Sequence, residues 1–235
     1  MEPVRRIDLN ADLGEGVTDD AGLLAVVTSA NVACGFHAGD ADVMRAVCDS
    51  AARSGVVVGA QVSYLDRDGF GRRPMDVAGD VLAAWVAEQV AALRQAAAAA
   101  GIEVAYLKPH GALYNRVADD PDQAAAVLDG SDDLPVLGLP DSSLLRIAAA
   151  RGRTVVPEGF PDRGYTAAGR LVPRGEPGAL VDGADRVAAN AVALARAGRV
   201  RTVCVHGDSP GAVLTAATVR RALDAAGYEV RPWRE

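Results

Sequence analysis

The feature that most constrains this chain is a rhythm: short apolar, β-branched runs alternate with longer stretches of helical periodicity from one end to the other. Such alternation builds parallel βαβ units, because a helix between two strands returns the second strand parallel to the first. Seven runs read as strands, over residues 4–10, 30–34, 56–61, 104–110, 135–139, 154–160 and 202–206. Helices are expected over 40–53, 77–100, 142–151, 182–197 and 211–226, each with apolar residues at helical spacing and a glycine at or just past its end. Shorter helices are expected at 121–128 and 20–27. Two stretches break the rhythm, 65–75 and 161–177, and loops of that length in a compact domain are usually functional. No linker tract or internal repeat divides the 235 residues, so one domain over 1–235 is expected. The pattern alone leaves open whether the sheet closes into a barrel or stays open and doubly wound.

Composition narrows the partners. No uncharged apolar run approaches the roughly 18 residues that a spanning helix needs. The first eight residues carry charges and no secretory pattern follows, so the cytoplasm is the expected address. A net charge of −7 with scattered basic residues gives neither nucleic acid nor a membrane surface anything to hold. Cys34, Cys48 and Cys204 are odd in number and widely spaced, which suits packing rather than a disulfide framework or a structural zinc site. Lys108 is the only lysine in a chain whose Lys+Arg total is 24.

In either architecture the ligand lies at the carboxyl ends of the strands. Those ends carry Asp8, Asn10, Asp12 and Glu15 after the first strand, and His37 and Asp40 after the second. They carry Gln61 after the third, Lys108, His110 and Asn115 after the fourth, Glu158, Asp162 and Arg163 after the sixth, and His206 and Asp208 after the seventh. All three histidines and the sole lysine fall at such positions. Taken singly, several have plainer readings: Asp40 opens a helix as an N-cap would, and Asp12 and Glu15 sit in what reads as a polar turn. Their convergence on one face points to an active site, since unpaired charge gathered there is otherwise costly.

The segments IDLNADLGEG (7–16), SANVACGFHAGD (29–40), KPHGALYN (108–115) and VHGDS (205–209) closely resemble the LamB/YcsF family. Weaker echoes are GFGRR (69–73), DRGY (162–165) and LVPR (171–174). The resemblance implies a seven-stranded parallel β/α barrel related to the polysaccharide deacetylase scaffold. It also implies the A-type component of an ATP-hydrolysing 5-oxoprolinase, which opens 5-oxoproline to glutamate with two partner subunits of B and C type. Where the family pattern has Gly-Ala-His-Pro after the third strand, this chain has Gly59-Ala60-Gln61-Val62, a neutral amide in place of an imidazole. The segment before the seventh strand, Arg199-Val200-Arg201, is also shorter than the family's.

An unstrained, resonance-stabilised lactam resists hydrolysis, so its opening needs coupling to ATP. No GxxxxGK[ST] segment occurs in the chain, and ATP is expected on the partners. Ring opening itself requires a base, an acid and positive charge. Asp12 or His37 is the expected base and His206 or His110 the acid. Lys108 and Arg163 are expected to meet anionic charge, and Asp208, Glu15 and Asp40 to orient histidines or hold the nitrogen. Asp8, Asn10, Gln61 and Asn115 complete the expected substrate contacts. Two alternatives keep the same residues: a metal-dependent amide hydrolase in which Asp12, His37, His110 and His206 collect a divalent ion such as zinc, and a non-enzymatic scaffold that binds the lactam.

Overall fold

Every second residue of the first strand is polar and every other is apolar, Asp8, Asn10 and Asp12 against Ile7, Leu9, Ala11 and Leu13, and the whole set is buried. A strand that alternates in this way yet exposes neither face must separate two interiors, one apolar and one polar. The computed structural model, which describes residues 5–17, 19–208 and 211–234, shows both. Val4, the expected start of the first strand, and Ser209 of the VHGDS segment lie outside the described residues.

Seven strands, β1 (Arg5–Leu13), β2 (Ser29–Ala33), β3 (Val57–Val62), β4 (Val104–Pro109), β5 (Val136–Gly138), β6 (Val155–Gly159) and β7 (Thr202–Val205), pair in parallel in chain order. β1 pairs with both β2 and β7, which closes the barrel and decides between the two architectures the pattern allowed. An eighth strand, β8 (Tyr228–Val230), adds to β1 at Arg5–Ile7, outside the closed ring; its central Glu229 keeps it from registering as an apolar run. The helices are α1 (Asp20–Leu24), α2 (Ala41–Ser54), α3 (Gly79–Ala99), α4 (Gly111–Asp119), α5 (Pro121–Asp129), α6 (Ser143–Ala150), α7 (Ala184–Ala197) and α8 (Ala212–Ala225). Their apolar faces and the outward residues of the strands form one continuous core. No helix among the described residues is long and apolar enough to cross a membrane.

Two departures from the sequence reading bear on the site. β1 runs on to Leu13, so Asp12 is a strand residue aimed into the barrel and not part of a turn. The segment after Lys108 becomes helix α4 at once, its buried Leu113, Tyr114, Val117 and Ala118 recurring at helical spacing that Pro109 and Gly111 disguise. Gly111 takes φ +59°, and a Cβ there would run into the carbonyl oxygen of Gly71, which accepts from the amide of Ala112 at 2.8 Å. That contact docks the 65–75 loop on the start of α4, where His110 stands.

Candidate active site

Much of the barrel interior is lined by polar side chains that satisfy one another in layers, as a buried polar network must if it is not to destabilise the fold. At the amino end, Asp8 accepts from the hydroxyls of Thr28 and Ser29, both at 2.7 Å, and from that of Thr202. Burial pushes the Asp8 carboxyl up to about 6 despite those three donors. One layer higher, Asn10 donates to Glu158 at 3.0 Å and to Thr202 at 2.6 Å, and Asn31 donates to Asn10 at 2.7 Å and to Asp12 at 2.9 Å. Tyr106 and Tyr114 close this layer by donating to Asn31 at 2.7 Å and to Glu158 at 3.0 Å.

At the carboxyl end, β4 delivers Lys108 to Asp12 at 2.9 Å, to Cys204 at 3.1 Å and to Glu158 at 3.4 Å, with the ammonium 5.3 Å from the centre of the Phe160 ring. Burial opposes charge on all of these groups. For Asp12 the opposition is overcome chiefly by Lys108, which holds its carboxyl well below the usual carboxylate range. For Lys108, Asp12 and Glu158 overcome burial and keep the ammonium protonated. Glu158 goes the other way: burial and the Asp12 charge outweigh Lys108 and raise its carboxyl. Burial also raises the Cys204 thiol, so this cysteine is an inert neighbour of the ammonium rather than a nucleophile.

His206, at the end of β7, has its Nδ1 2.9 Å from Asp162 Oδ2, and its backbone amide donates to the same oxygen at 2.9 Å. The ring stacks on Phe160 with centroids 5.3 Å apart. Burial pushes Asp162 up, but His206 and Arg174 prevail and leave its carboxyl below the ordinary range. On the other side of the barrel mouth, His110 Nε2 meets the carbonyl oxygen of Phe70 at 3.1 Å, and its Nδ1 meets the Gln61 amide nitrogen at 2.9 Å. Burial and the adjacent His37 ring drive the His110 imidazole well below its usual value, so it is neutral, with the proton on Nε2. Gln61 donates as well to Glu15 at 3.0 Å. Phe70, in the 65–75 loop, stands edge-on to both His37 and His110.

A cavity of about 850 Å³ opens over these groups. Asp12, Lys108, His110 and His206 line its inner wall, with Arg72, Arg163 and Arg174 toward the mouth. Arg72 and Arg174 both meet Asp208 Oδ2, the latter at 3.3 Å.

The model of the LamB/YcsF family matches residues 7–235 of this sequence. The chain belongs to the LamB/YcsF family. Among its relatives, the A-type subunit of 5-oxoprolinase from Streptomyces coelicolor is 58% identical, the match covering 95% of this chain and 98% of that protein. The crystal structure of the lactam utilization protein from Thermus thermophilus superposes with a TM-score of 0.89 at 35% identity, covering 96% of this chain and 99% of the other. A peptidoglycan N-acetylglucosamine deacetylase catalytic domain from Eubacterium rectale gives a TM-score of 0.54 at 14% identity over 99% of this chain and 90% of its own. That likeness is one of fold, and it agrees with the expected deacetylase-like scaffold of the barrel.

The family motifs meet around the barrel mouth, though not every residue singled out in them arrives there. Asp12, Lys108, His110 and His206 share the cavity wall, and Glu15, His37 and Gln61 lie directly behind His110. Asn10 lies deeper, within the interior network. Asp8 is at the far end of the barrel, because it sits two inward positions before Asp12. Asp40 is exposed and accepts from the amides of Asp42 and Val43, the N-cap its position suggested. Arg163 spends its guanidinium on the carbonyls of Ala179 and Val172 at 3.0 and 2.7 Å, pinning the 161–177 loop. Asn115 lines the cavity from the exposed side of α4, where it donates to Gly111. The four-residue zinc set does not assemble: His206 pairs with Asp162, and one oxygen of Asp12 is taken by Lys108. Sequence reasoning missed the role of Asp162. Its signal was present, a carboxylate just past a strand end, but its partner is 44 residues away and on another strand.

Proposed function

We propose that this chain opens the lactam of 5-oxoproline to L-glutamate within an ATP-dependent 5-oxoprolinase, in the cytoplasm, with B- and C-type partner subunits supplying nucleotide binding. The observation that carries this reading is the meeting, on one cavity wall, of the Asp162-held His206 with the buried Lys108–Asp12 pair. The names of the close relatives supply the substrate.

Hydrolysis of the ring forms a bond from water oxygen to the carbonyl carbon, breaks the bond from that carbon to nitrogen, and moves one proton from water to nitrogen. Asp12 is held ionised, and its Oδ2, 3.9 Å from His110 and not engaged by Lys108, is placed to take the proton. The Lys108 ammonium balances negative charge developing on the carbonyl oxygen, most effectively in a site that excludes water. His206, oriented by Asp162, returns a proton to the departing nitrogen, a role that typically contributes about 10²–10⁴-fold. Arg72 and Arg174 at the mouth suit the carboxylate of 5-oxoproline or a phosphoryl group added by the partners.

The test is glutamate release from 5-oxoproline and ATP by the complex reconstituted with both partners. His206→Gln and Asp12→Asn should each slow turnover by at least about 10²-fold. Wild-type rates in both variants would sink the reading.

A further inference from the structure

Behind the cavity wall lies a cluster in which hydrogen-bond acceptors outnumber donors. Ser63 Oγ donates to the carbonyl of Tyr64 at 2.8 Å, so it accepts from His37 Nδ1–H at 3.0 Å. That leaves His37 Nε2 buried with no hydrogen-bond partner, 3.5 Å from Glu15 Oε1. His110 is fixed in the mirror sense: Nε2–H goes to Phe70, and bare Nδ1 stands 3.6 Å from the same Glu15 oxygen. All three side chains are buried, and their ligand atoms lie within 4.8 Å of one another. The Gln61 amide nitrogen serves Glu15 and His110 but not His37, and the Gln61 carbonyl oxygen is likewise buried without a donor. Three possible ligand atoms, from Glu15, His37 and His110, thus converge on one buried place, with the Gln61 amide at its edge.

We propose that Glu15, His37 and His110 form a binding site for a divalent transition-metal cation of the zinc class, with the Gln61 amide oxygen as an available fourth ligand. Two imidazoles and one carboxylate are a donor set that suits zinc or cobalt better than calcium or magnesium. Ligand atoms about 2.1 Å from a tetrahedral ion lie roughly 3.4 Å apart, close to the two Glu15 separations. The amide of Gln61 needs only to turn over to present its oxygen instead of its nitrogen. His37 and His110 now stack with centroids 4.0 Å apart and 13° between planes, whereas a metal lies in the plane of each imidazole it takes, so loading turns one ring out of the stack.

The experiment titrates chelator-stripped protein with Zn²⁺ by calorimetry and with Co²⁺ by visible absorption, without substrate or partners. Its failure therefore leaves the ring-opening reading untouched. One equivalent per chain is expected, with a ligand-field spectrum for Co²⁺. Glu15→Gln and His37→Ala should each weaken affinity at least about tenfold. Gln61→Glu, isosteric and bringing a second carboxylate, should strengthen it. No saturable equivalent in the wild type, or affinity unchanged in both weakening variants, overturns the site. If those variants fail to fold, Gln61→Glu decides, and affinity no higher than wild type overturns it.

Discussion

Replacing Lys108 by methionine removes the only ammonium in the barrel while keeping most of its volume. At the observed 2.9 Å from Asp12, an effective dielectric of about 20 gives a gross attraction of about 6 kcal/mol, much of it spent on desolvating both ions. What the variant loses is governed by the carboxylate it strands. Breaking one partner out of a buried pair costs about 3–5 kcal/mol, or roughly 6–20 °C in Tm for a chain of this size. The Asp12 contribution to the pH response should change sign as well. In the wild type the depressed Asp12 carboxyl contributes stability that is present above its unfolded value and lost as pH falls through the folded one. Without Lys108, burial dominates, the folded carboxyls rise, and stability near neutrality should increase as pH falls. Urea denaturation of both proteins from about pH 5 to 8 reads the loss and, in the variant, a slope added to the one that Asp8 gives both, and adding Asp12→Asn to the variant should remove the added slope and recover part of the loss. A Lys108→Met protein within about 1 kcal/mol of wild type at neutral pH, the range of exposed ion pairs, would refute the account of the site as a tightly coupled buried pair.

Asp8, with a folded value of about 6 against 3.8 unfolded, contributes stability that is full below 3.8 and lost as pH rises through 6; by linkage this amounts to about 3 kcal/mol. Asp8→Asn should abolish that slope in denaturation curves between about pH 4 and 7, and an unaltered slope would assign it elsewhere. Asp162→Asn should lower turnover of the reconstituted complex by about 10²-fold with little change in Tm, because it removes the charge that steadies His206; a purely structural role would show the reverse pattern. Gly111→Ala places a Cβ against the Gly71 carbonyl at a positive φ and should cost about 2 kcal/mol or more, measured by thermal unfolding; tolerance of alanine there would contradict the docking of the 65–75 loop on α4.

The order of strands and helices was legible in the sequence because periodicity is a local property. A run such as Ile7 to Leu13 states by its alternation which residues face each side, whatever it packs against. Reading each run to its end placed the lone lysine and all three histidines at strand ends in the same way. α4 escaped because Pro109 and Gly111 read as a turn, and β8 because Glu229 interrupts its two apolar residues.

What the chain alone determined, then, is the alternation, the inward set of each strand and membership of the LamB/YcsF family. Closure required β1 to pair on both edges, a contact between the first strand and the last of the ring that no local window contains. Closure and register together decided how high each inward residue sits. They sent Asp8 to the far end of the barrel, joined Lys108 to Asp12 across 96 residues, and gave Asp162 to His206. Electrostatics followed from those placements, since burial and neighbouring charge set the protonation of these groups, and both exist only once the barrel is closed.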